Sequence, residues 1–118
     1  MDSKPKIITL CGSTRFIEHF AIMAYLLEKE GAIVLGLHLL PESYFEGKVS
    51  VPDHIAEYEG CAEHFDQLHL RKIDISDSIY VVNVGGYIGE STTREIRYAI
   101  AHGKPVTWFE PDKIPDLF

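Results

Sequence analysis

Residues 77–95 predict a buried strand, a glycine-rich turn and the polar start of a helix. The strand segment, Ser-Ile-Tyr-Val-Val-Asn-Val, is an apolar, β-branched run without regular alternation, which is typical of a strand covered on both faces in a parallel sheet. Open α/β sheets bind their ligands at the carboxyl ends of such strands. Glu95 lies at the start of the following helix, so we expect its carboxyl group to face this ligand-binding edge.

Strands and helices alternate along the rest of the chain, in the order typical of a parallel α/β sheet. The sequence predicts strands over residues 7–11, 32–36, 78–84 and 106–109, and helices over 13–30, 53–75 and 91–102. Residues 37–52 are predicted as a loop, and the tail 110–118 as an irregular segment or an arm onto a neighbouring chain. The 118 residues are predicted to form one domain. Right-handed crossovers then predict a small three-layer α/β domain.

Charge and cysteine content restrict the class of partner. The net charge of −7 argues against a nucleic-acid polymer, because neutralising phosphates needs a basic surface, but it is compatible with a small anion held by local donors. The two cysteines suggest reduced thiols and a cytoplasmic location rather than a disulfide framework. The N-terminus lacks the apolar stretch of a signal peptide, and no segment has the apolar length of a transmembrane helix.

The segment from Cys11 to Arg15 places a strand end directly before a helix start. Gly12 permits close approach of the backbone, and the free N–H groups of a helix start suit an anion. Ser13 or Thr14 is expected to cap the helix and contact a phosphate oxygen, while Arg15 adds a charge-assisted donor. The alternative is an ordinary N-cap followed by a solvated arginine.

Glu95 allows a structural and a functional interpretation. Thr92-x-x-Glu95 matches a capping box, in which the glutamate bonds back to the N–H group of Thr92. The functional interpretation is a carboxylate nucleophile or base at the carboxyl edge of the sheet, and the nearby glycines favour a shaped site over a simple turn. Glu90 is a rival carboxylate, but its place in the turn favours a solvated side chain.

His69 interrupts an apolar stripe on the second predicted helix, the stripe of Ala62, Phe65 and Ile73. A histidine on such a face is more often a core residue with satisfied hydrogen bonds than a catalyst, yet its inward position keeps it a candidate. Asp66 and Asp74 fall off this stripe, and Asp77 is expected to hold a backbone turn.

A metal site is the weaker interpretation of the remaining polar residues. Cys61-x-x-His64 and His54 offer a ligand set, but no second pair of this kind supports it, so a solvated helix face is favoured.

Two motifs resemble the nucleoside deoxyribosyltransferase superfamily. They are Cys11-Gly12-Ser13-Thr14-Arg15 after the first strand, and Asp77 followed by Glu95-Ile96-Arg97-Tyr98-Ala99 late in the chain. The chain looks more like the 2′-deoxynucleoside 5′-phosphate N-hydrolases of this group because of its Gly-Ser-x-Arg start. It is also similar to small bacterial and phage members. The resemblance spans about residues 6–109.

The resemblance implies a flavodoxin-like domain with a parallel sheet of four or five strands. It also implies cleavage or transfer at an N-glycosidic bond, no metal or other cofactor, and a homodimer or higher homo-oligomer. The family's nucleophilic glutamate falls on Glu95, and its phosphate-binding serine and arginine fall on Ser13 and Arg15. Further substrate or phosphate contacts are expected from Gly12, Asn83, Gly86, Tyr87 and Ser91.

Two positions depart from the family pattern. The second acid of the family aligns near His69, and a glycine two residues after the nucleophile is replaced by Arg97. A protonated His69 would help a nucleobase to leave if its pKa is kept near neutral.

The sequence therefore predicts an N-glycosidase that hydrolyses a (deoxy)nucleoside 5′-monophosphate through a glutamate nucleophile. A deoxyribosyltransferase is the alternative within the same class. A non-catalytic nucleotide-binding module of the same fold, and an interaction protein in which Glu95 is only a helix cap, are the alternatives outside it.

Overall fold

Four parallel strands form the central sheet of the computed structural model, which describes residues 4–37, 45 and 60–117. The strands are β1 (Ile7–Cys11), β2 (Ile33–Leu35), β3 (Ser78–Val81) and β4 (Val106–Trp108), and they lie in the order β2-β1-β3-β4. The direction in which the chain adds strands reverses between β1 and β3. In flavodoxin-like sheets this reversal marks the crevice where ligands bind.

Helices cover both faces of the sheet, as the sequence predicts. A 3-10 turn (Thr14–Phe16) leads into α1 (Ile17–Lys29), while α2 (Ala62–Asp74) and α3 (Glu90–Ala101) pack against each other and against the sheet. The prediction of an α/β domain with a small parallel sheet is confirmed, and the arrangement is compatible with a flavodoxin-like three-layer fold. Within the described part of the chain, no helix is long and apolar enough to cross a membrane.

Neighbouring residues of one strand supply the cores on the two sides of the sheet. Leu10 packs with Phe20 of α1 on one side, whereas Cys11 packs with Ile73 of α2 and Ile96 of α3 on the other. Because both faces are covered, consecutive strand positions are buried, and this explains why the strand sequences show no alternation of apolar and polar residues.

The element boundaries differ from the predicted ones mainly at the ends. The predicted strand 78–84 ends at Val81, and Val84–Gly86 forms a 3-10 turn in which Gly85 has a φ of 65°. The predicted helix 91–102 begins one residue earlier, at Glu90. Most of the predicted loop 37–52 and the first part of the predicted helix 53–75 lie outside the described residues.

The tail after β4 is irregular, as predicted, and is held against the loop after β3. The Asn83 side chain donates to the carbonyl groups of Glu110 and Lys113 at 3.0 and 3.1 Å and accepts from the Glu110 N–H group at 2.8 Å. The Glu110 carboxylate in turn accepts from the N–H group of Gly85. The tail therefore fixes the path of the loop that leads into α3.

Candidate functional site

Gly12 and Ser13 make a tight junction between β1 and the following 3-10 turn. Gly12 has a φ of 155°, and a Cβ atom there would lie 2.9 Å from the Phe20 ring and 3.0 Å from the Val82 carbonyl oxygen. Glycine is therefore required by both conformation and space. Ser13 is the N-cap, and its hydroxyl accepts from the N–H group of Arg15 at 3.3 Å, which confirms the predicted cap.

Arg15 and Tyr87, two of the predicted binding residues, lie together. The guanidinium carbon of Arg15 is 4.1 Å from the centroid of the Tyr87 ring, a cation–π contact, and Phe16 packs edge-on against the same ring at 6.0 Å. Gly86, just before Tyr87, is packed against the tail, because a Cβ atom there would lie 3.2 Å from the Lys113 carbonyl oxygen. The junction after β1 and the loop after β3 thus meet at the carboxyl edge of the sheet.

Glu95 is not part of a capping box, so that interpretation is wrong. The N-cap of α3 is Gly89, and Thr92 lies inside the helix, where it is buried. Both the N–H group and the hydroxyl of Thr93 donate to the Gly89 carbonyl group, at 3.0 and 2.9 Å, which fixes the earlier start of the helix. Glu95 therefore points inward, and only 7% of it is exposed.

Three buried side chains from three different elements converge at this point. Nε2 of His69 on α2 lies 3.4 Å from Sγ of Cys11 on β1 and 3.6 Å from Oε1 of Glu95 on α3. The donor atoms of all three side chains lie within 4.8 Å of one another. We call this group the Cys11–His69–Glu95 cluster.

Burial holds Glu95 and Cys11 in their protonated forms. The pKa of Glu95 is raised from 4.5 to about 8, chiefly by burial and then by the nearby negative charge of Asp66, while Arg94 and a hydrogen bond with Cys11 oppose the shift. The pKa of the Cys11 thiol is raised well above its ordinary value, first by burial and then by Glu95. At neutral pH most Glu95 side chains therefore carry a proton.

His69 is neutral at the same pH. Burial, followed by the charge of Lys72, lowers its pKa from 6.5 to about 4, and the backbone of Leu10 opposes this only in part. The sequence analysis makes His69 a proton donor only if its pKa is near neutral. A pKa of about 4 does not meet this condition. Among the described residues, no group makes a hydrogen bond of good geometry to its buried Nδ1 atom, whereas its Nε2 atom contacts the Cys11 sulfur, so the hydrogen bonds expected of a core histidine are only partly made.

An open cavity of about 410 Å³ lies between α2 and α3, and Glu95 is the member of the cluster that lines it. This volume is within the usual range of small-molecule sites, about 300–1,000 Å³. The described lining residues are Glu63, Asp66, Gln67, Leu70, Ser91, Arg94, Glu95 and Tyr98.

Asp66 is one of six described lining residues that the sequence did not assign to a site. It falls off the apolar stripe, yet it lies one helical turn before His69, and its carboxylate is 3.5 Å from Arg94 on α3. Arg94 also donates to the hydroxyl of Ser91 at 3.2 Å. The spacing of three residues between Asp66 and His69 is the signal in the sequence that would have placed both near the same site.

The predicted site residues therefore fall into three places. Glu95 and Ser91 line the cavity, with His69 directly behind Glu95. Gly12, Ser13, Arg15 and Tyr87 lie at the junction after β1, and Asn83 and Gly86 contact the tail. Asp77 accepts a hydrogen bond from the N–H group of Ile7 at 2.8 Å, which confirms its predicted backbone role.

Comparisons with protein-family models and with curated proteins find no relative of this chain.

Proposed function

We propose that the protein is an N-glycosidase that hydrolyses a (deoxy)nucleoside 5′-monophosphate, with Glu95 as the nucleophile. The observation that carries this proposal is a nearly buried carboxyl group that opens into a cavity of about 410 Å³ beside a parallel sheet. The resemblance of the Cys11–Arg15 and Glu95 motifs to the nucleoside deoxyribosyltransferase superfamily supports the same assignment.

Cleavage of an N-glycosidic bond develops positive charge on the sugar and negative charge on the departing base. A carboxylate under the anomeric carbon stabilises the first charge or bonds to that carbon, after which water attacks the carbon and releases the sugar phosphate. A site with little water strengthens this interaction. The burial of Glu95 provides such a site.

The raised pKa of Glu95 gives the proposal a distinctive pH dependence. A nucleophilic carboxylate must be ionised, so the rate of base release should rise with pH, reach half its maximum near pH 8 and level off about one pH unit higher. Among the described residues, the charged groups that act on the pKa of Glu95 are Asp66, which raises it, and Arg94, which lowers it, and the Glu63 carboxylate lines the same cavity. The alternative role of general acid would need the protonated form, and its rate would fall over the same range.

The phosphate of the substrate is assigned to the junction after β1. The Ser13 hydroxyl lies at the start of the 3-10 turn, and Arg15 places a positive charge two residues later. In an acidic chain with a net charge of −7, this local donor group is what would select a phosphate.

The test is release of base from a panel of ribo- and deoxyribonucleosides and their monophosphates, measured with a chelator present. We expect Glu95→Ala and Glu95→Gln to lose at least about a thousandfold in rate, because they remove the nucleophile. The matched control is Glu90→Gln, which removes an exposed carboxylate from the first turn of the same helix and should retain full activity. Full activity of Glu95→Gln would refute the proposal.

A non-catalytic nucleotide-binding module is the second candidate, and one observation favours it. Position 69 carries a histidine that is neutral at neutral pH, where the resemblance leads us to expect a second acid. If nucleotides bind to the wild-type protein and none of the panel is cleaved between pH 5 and 10, this candidate replaces the glycosidase. Addition of an acceptor base separates hydrolysis from transfer, since a transferase would form a new nucleoside.

A further inference from the structure

We propose that the Cys11–His69–Glu95 cluster binds a Zn²⁺ ion. Among the described residues, these three side chains form a group in which a thiol, an imidazole and a carboxyl group bring one potential ligand atom each to a common point. They come from β1, α2 and α3, so the fold rather than a local motif creates the site.

The spacing of the donor atoms matches a tetrahedral zinc ion. Zinc binds sulfur at about 2.3 Å, and nitrogen and oxygen at about 2.0–2.2 Å, so its tetrahedral ligand atoms lie about 3.4–3.6 Å apart. The separations of 3.4 Å between Cys11 and His69 and 3.6 Å between His69 and Glu95 match these values. The third pair, the Cys11 sulfur and a Glu95 carboxylate oxygen, lies within 4.8 Å, so small adjustments of these side chains bring all three atoms to one ion.

The chemistry of the donors selects the class of metal. A thiolate and an imidazole favour Zn²⁺ and related transition-metal ions over Mg²⁺ and Ca²⁺, which prefer oxygen ligands. On binding, the Cys11 thiol and the protonated Glu95 carboxyl group each give up a proton to solvent, so a thiolate and a carboxylate hold the ion. The two negative charges then balance the two positive charges of the ion, so no net charge is buried.

The cavity provides both the entry path and the remaining ligand. Glu95 lines the cavity together with the carboxylates of Glu63 and Asp66, of which Asp66 is paired with Arg94, so the Glu63 carboxylate remains to attract a cation. Three protein ligands leave the fourth position of a tetrahedral zinc ion open to a water molecule from the cavity.

The environment of His69 points to a ligand as well. Its ring is almost completely buried, its Nδ1 atom has no hydrogen-bond partner of good geometry in the described part of the chain, and its Nε2 atom is directed at Cys11 and Glu95. A neutral imidazole protonated on Nδ1 offers the lone pair of Nε2 to a metal. A bound ion would give Nε2 a stronger interaction than its 3.4 Å contact with the Cys11 sulfur.

Metal binding does not depend on the proposed glycosidase activity, but it has a consequence for that activity. A Glu95 carboxylate that coordinates zinc is no longer available as a nucleophile. If both proposals hold, Zn²⁺ inhibits base release and a chelator restores it.

The test is titration of the chelator-treated, full-length protein with Zn²⁺ by calorimetry, together with the absorption spectrum after addition of Co²⁺. We expect one ion per chain, a thiolate-to-cobalt charge-transfer band, and no comparable binding of Mg²⁺. Cys11→Ser, His69→Gln and Glu95→Gln should each weaken Zn²⁺ binding at least about tenfold. The matched control Cys61→Ser changes the other free thiol, which lies next to α2, and should bind as the wild type does.

Thermal unfolding of each variant, with and without Zn²⁺, keeps the test valid if a substitution weakens the fold. A folded variant that lacks the zinc-induced rise in Tm supports the site. The proposal is overturned if the folded wild-type protein binds no Zn²⁺, if Cys11→Ser binds as tightly as the wild type, or if Cys61→Ser abolishes binding. Base release measured with chelator tests the glycosidase separately, so either proposal can fail alone.

Discussion

On the α1 side of the sheet, the described buried core consists of Leu10, Phe20 and Val82, whereas the opposite side buries His69 and Glu95 next to a larger apolar cluster that includes Cys11. Both sides exclude water, and they share the same strands. Apolar burial stabilises the fold, but burial of ionisable groups shifts their pKa values and leaves reactive atoms close together. This contrast indicates that α1 contributes apolar packing, while α2 and α3 also bring the side chains of the candidate site together.

Substitution of two neighbouring residues of β1 should show the contrast most strongly. Leu10→Ala removes a fully buried side chain from the α1 side and should lower the free energy of unfolding by about 2–5 kcal/mol. Cys11→Ala removes only a sulfur atom from the other side and should cost about 1 kcal/mol. Urea unfolding measures both, and equal losses would contradict the comparison.

Glu95 should make the protein less stable at alkaline pH. Its pKa is about 8 in the fold and 4.5 in the unfolded chain, so the folded state holds the proton more tightly. The free energy of unfolding should therefore fall as pH rises from about 4.5 to about 8 and then level off.

Glu95→Gln should remove this alkaline loss and be more stable than the wild type at pH 9 by a few kcal/mol, with chelator present. The exposed control Glu90→Gln should retain the wild-type pH dependence. A parallel curve for Glu95→Gln and the wild type would show that Glu95 is ionised in the fold at neutral pH.

His69 should have the opposite effect at acid pH. Its pKa is lowered from 6.5 to about 4, so between these pH values His69 is protonated in the unfolded chain and neutral in the folded protein. The free energy of unfolding should fall as pH drops from about 6.5 to about 4, by about 3 kcal/mol from the size of the shift. His69→Gln should lose this dependence, whereas substitution of the exposed His102 should preserve it.

Asp66 and Arg94 should tune the site without creating it. Asp66→Asn removes a negative charge that raises the pKa of Glu95, so the rise of base release with pH should move to lower pH by up to about one unit. Arg94→Gln removes a positive charge and should move it to higher pH. Shifts in the reverse directions would show that Glu95 does not set the profile.

The order of elements could be predicted from the sequence, because unbroken apolar strands and glycine-rich turns are local signals. The Thr92–Glu95 capping box was wrong, since Gly89 accepts the hydrogen bonds that begin α3 one residue earlier than predicted. Because the helix begins at Glu90, Thr92 lies inside the helix rather than at its cap, and Glu95 is nearly buried.

The convergence of Cys11, His69 and Glu95 could not be predicted, because it depends on long-range packing. Cys11 pairs with Val81 across two parallel strands, and the rotation of α2 about its axis decides that His69 points at both partners. The hydrogen bonds from the Asn83 side chain to the tail also depend on long-range packing, since their acceptors lie 27 and 30 residues later in the chain.

The most direct test of the account is the rate of base release by the wild-type protein from pH 5 to 10, on its best nucleotide and with chelator present. We predict a rate that rises with pH, is half-maximal near pH 8 and levels off about one pH unit higher, as Glu95 becomes ionised. A rate that falls over this range, or the absence of release at every pH, would contradict a nucleophilic Glu95.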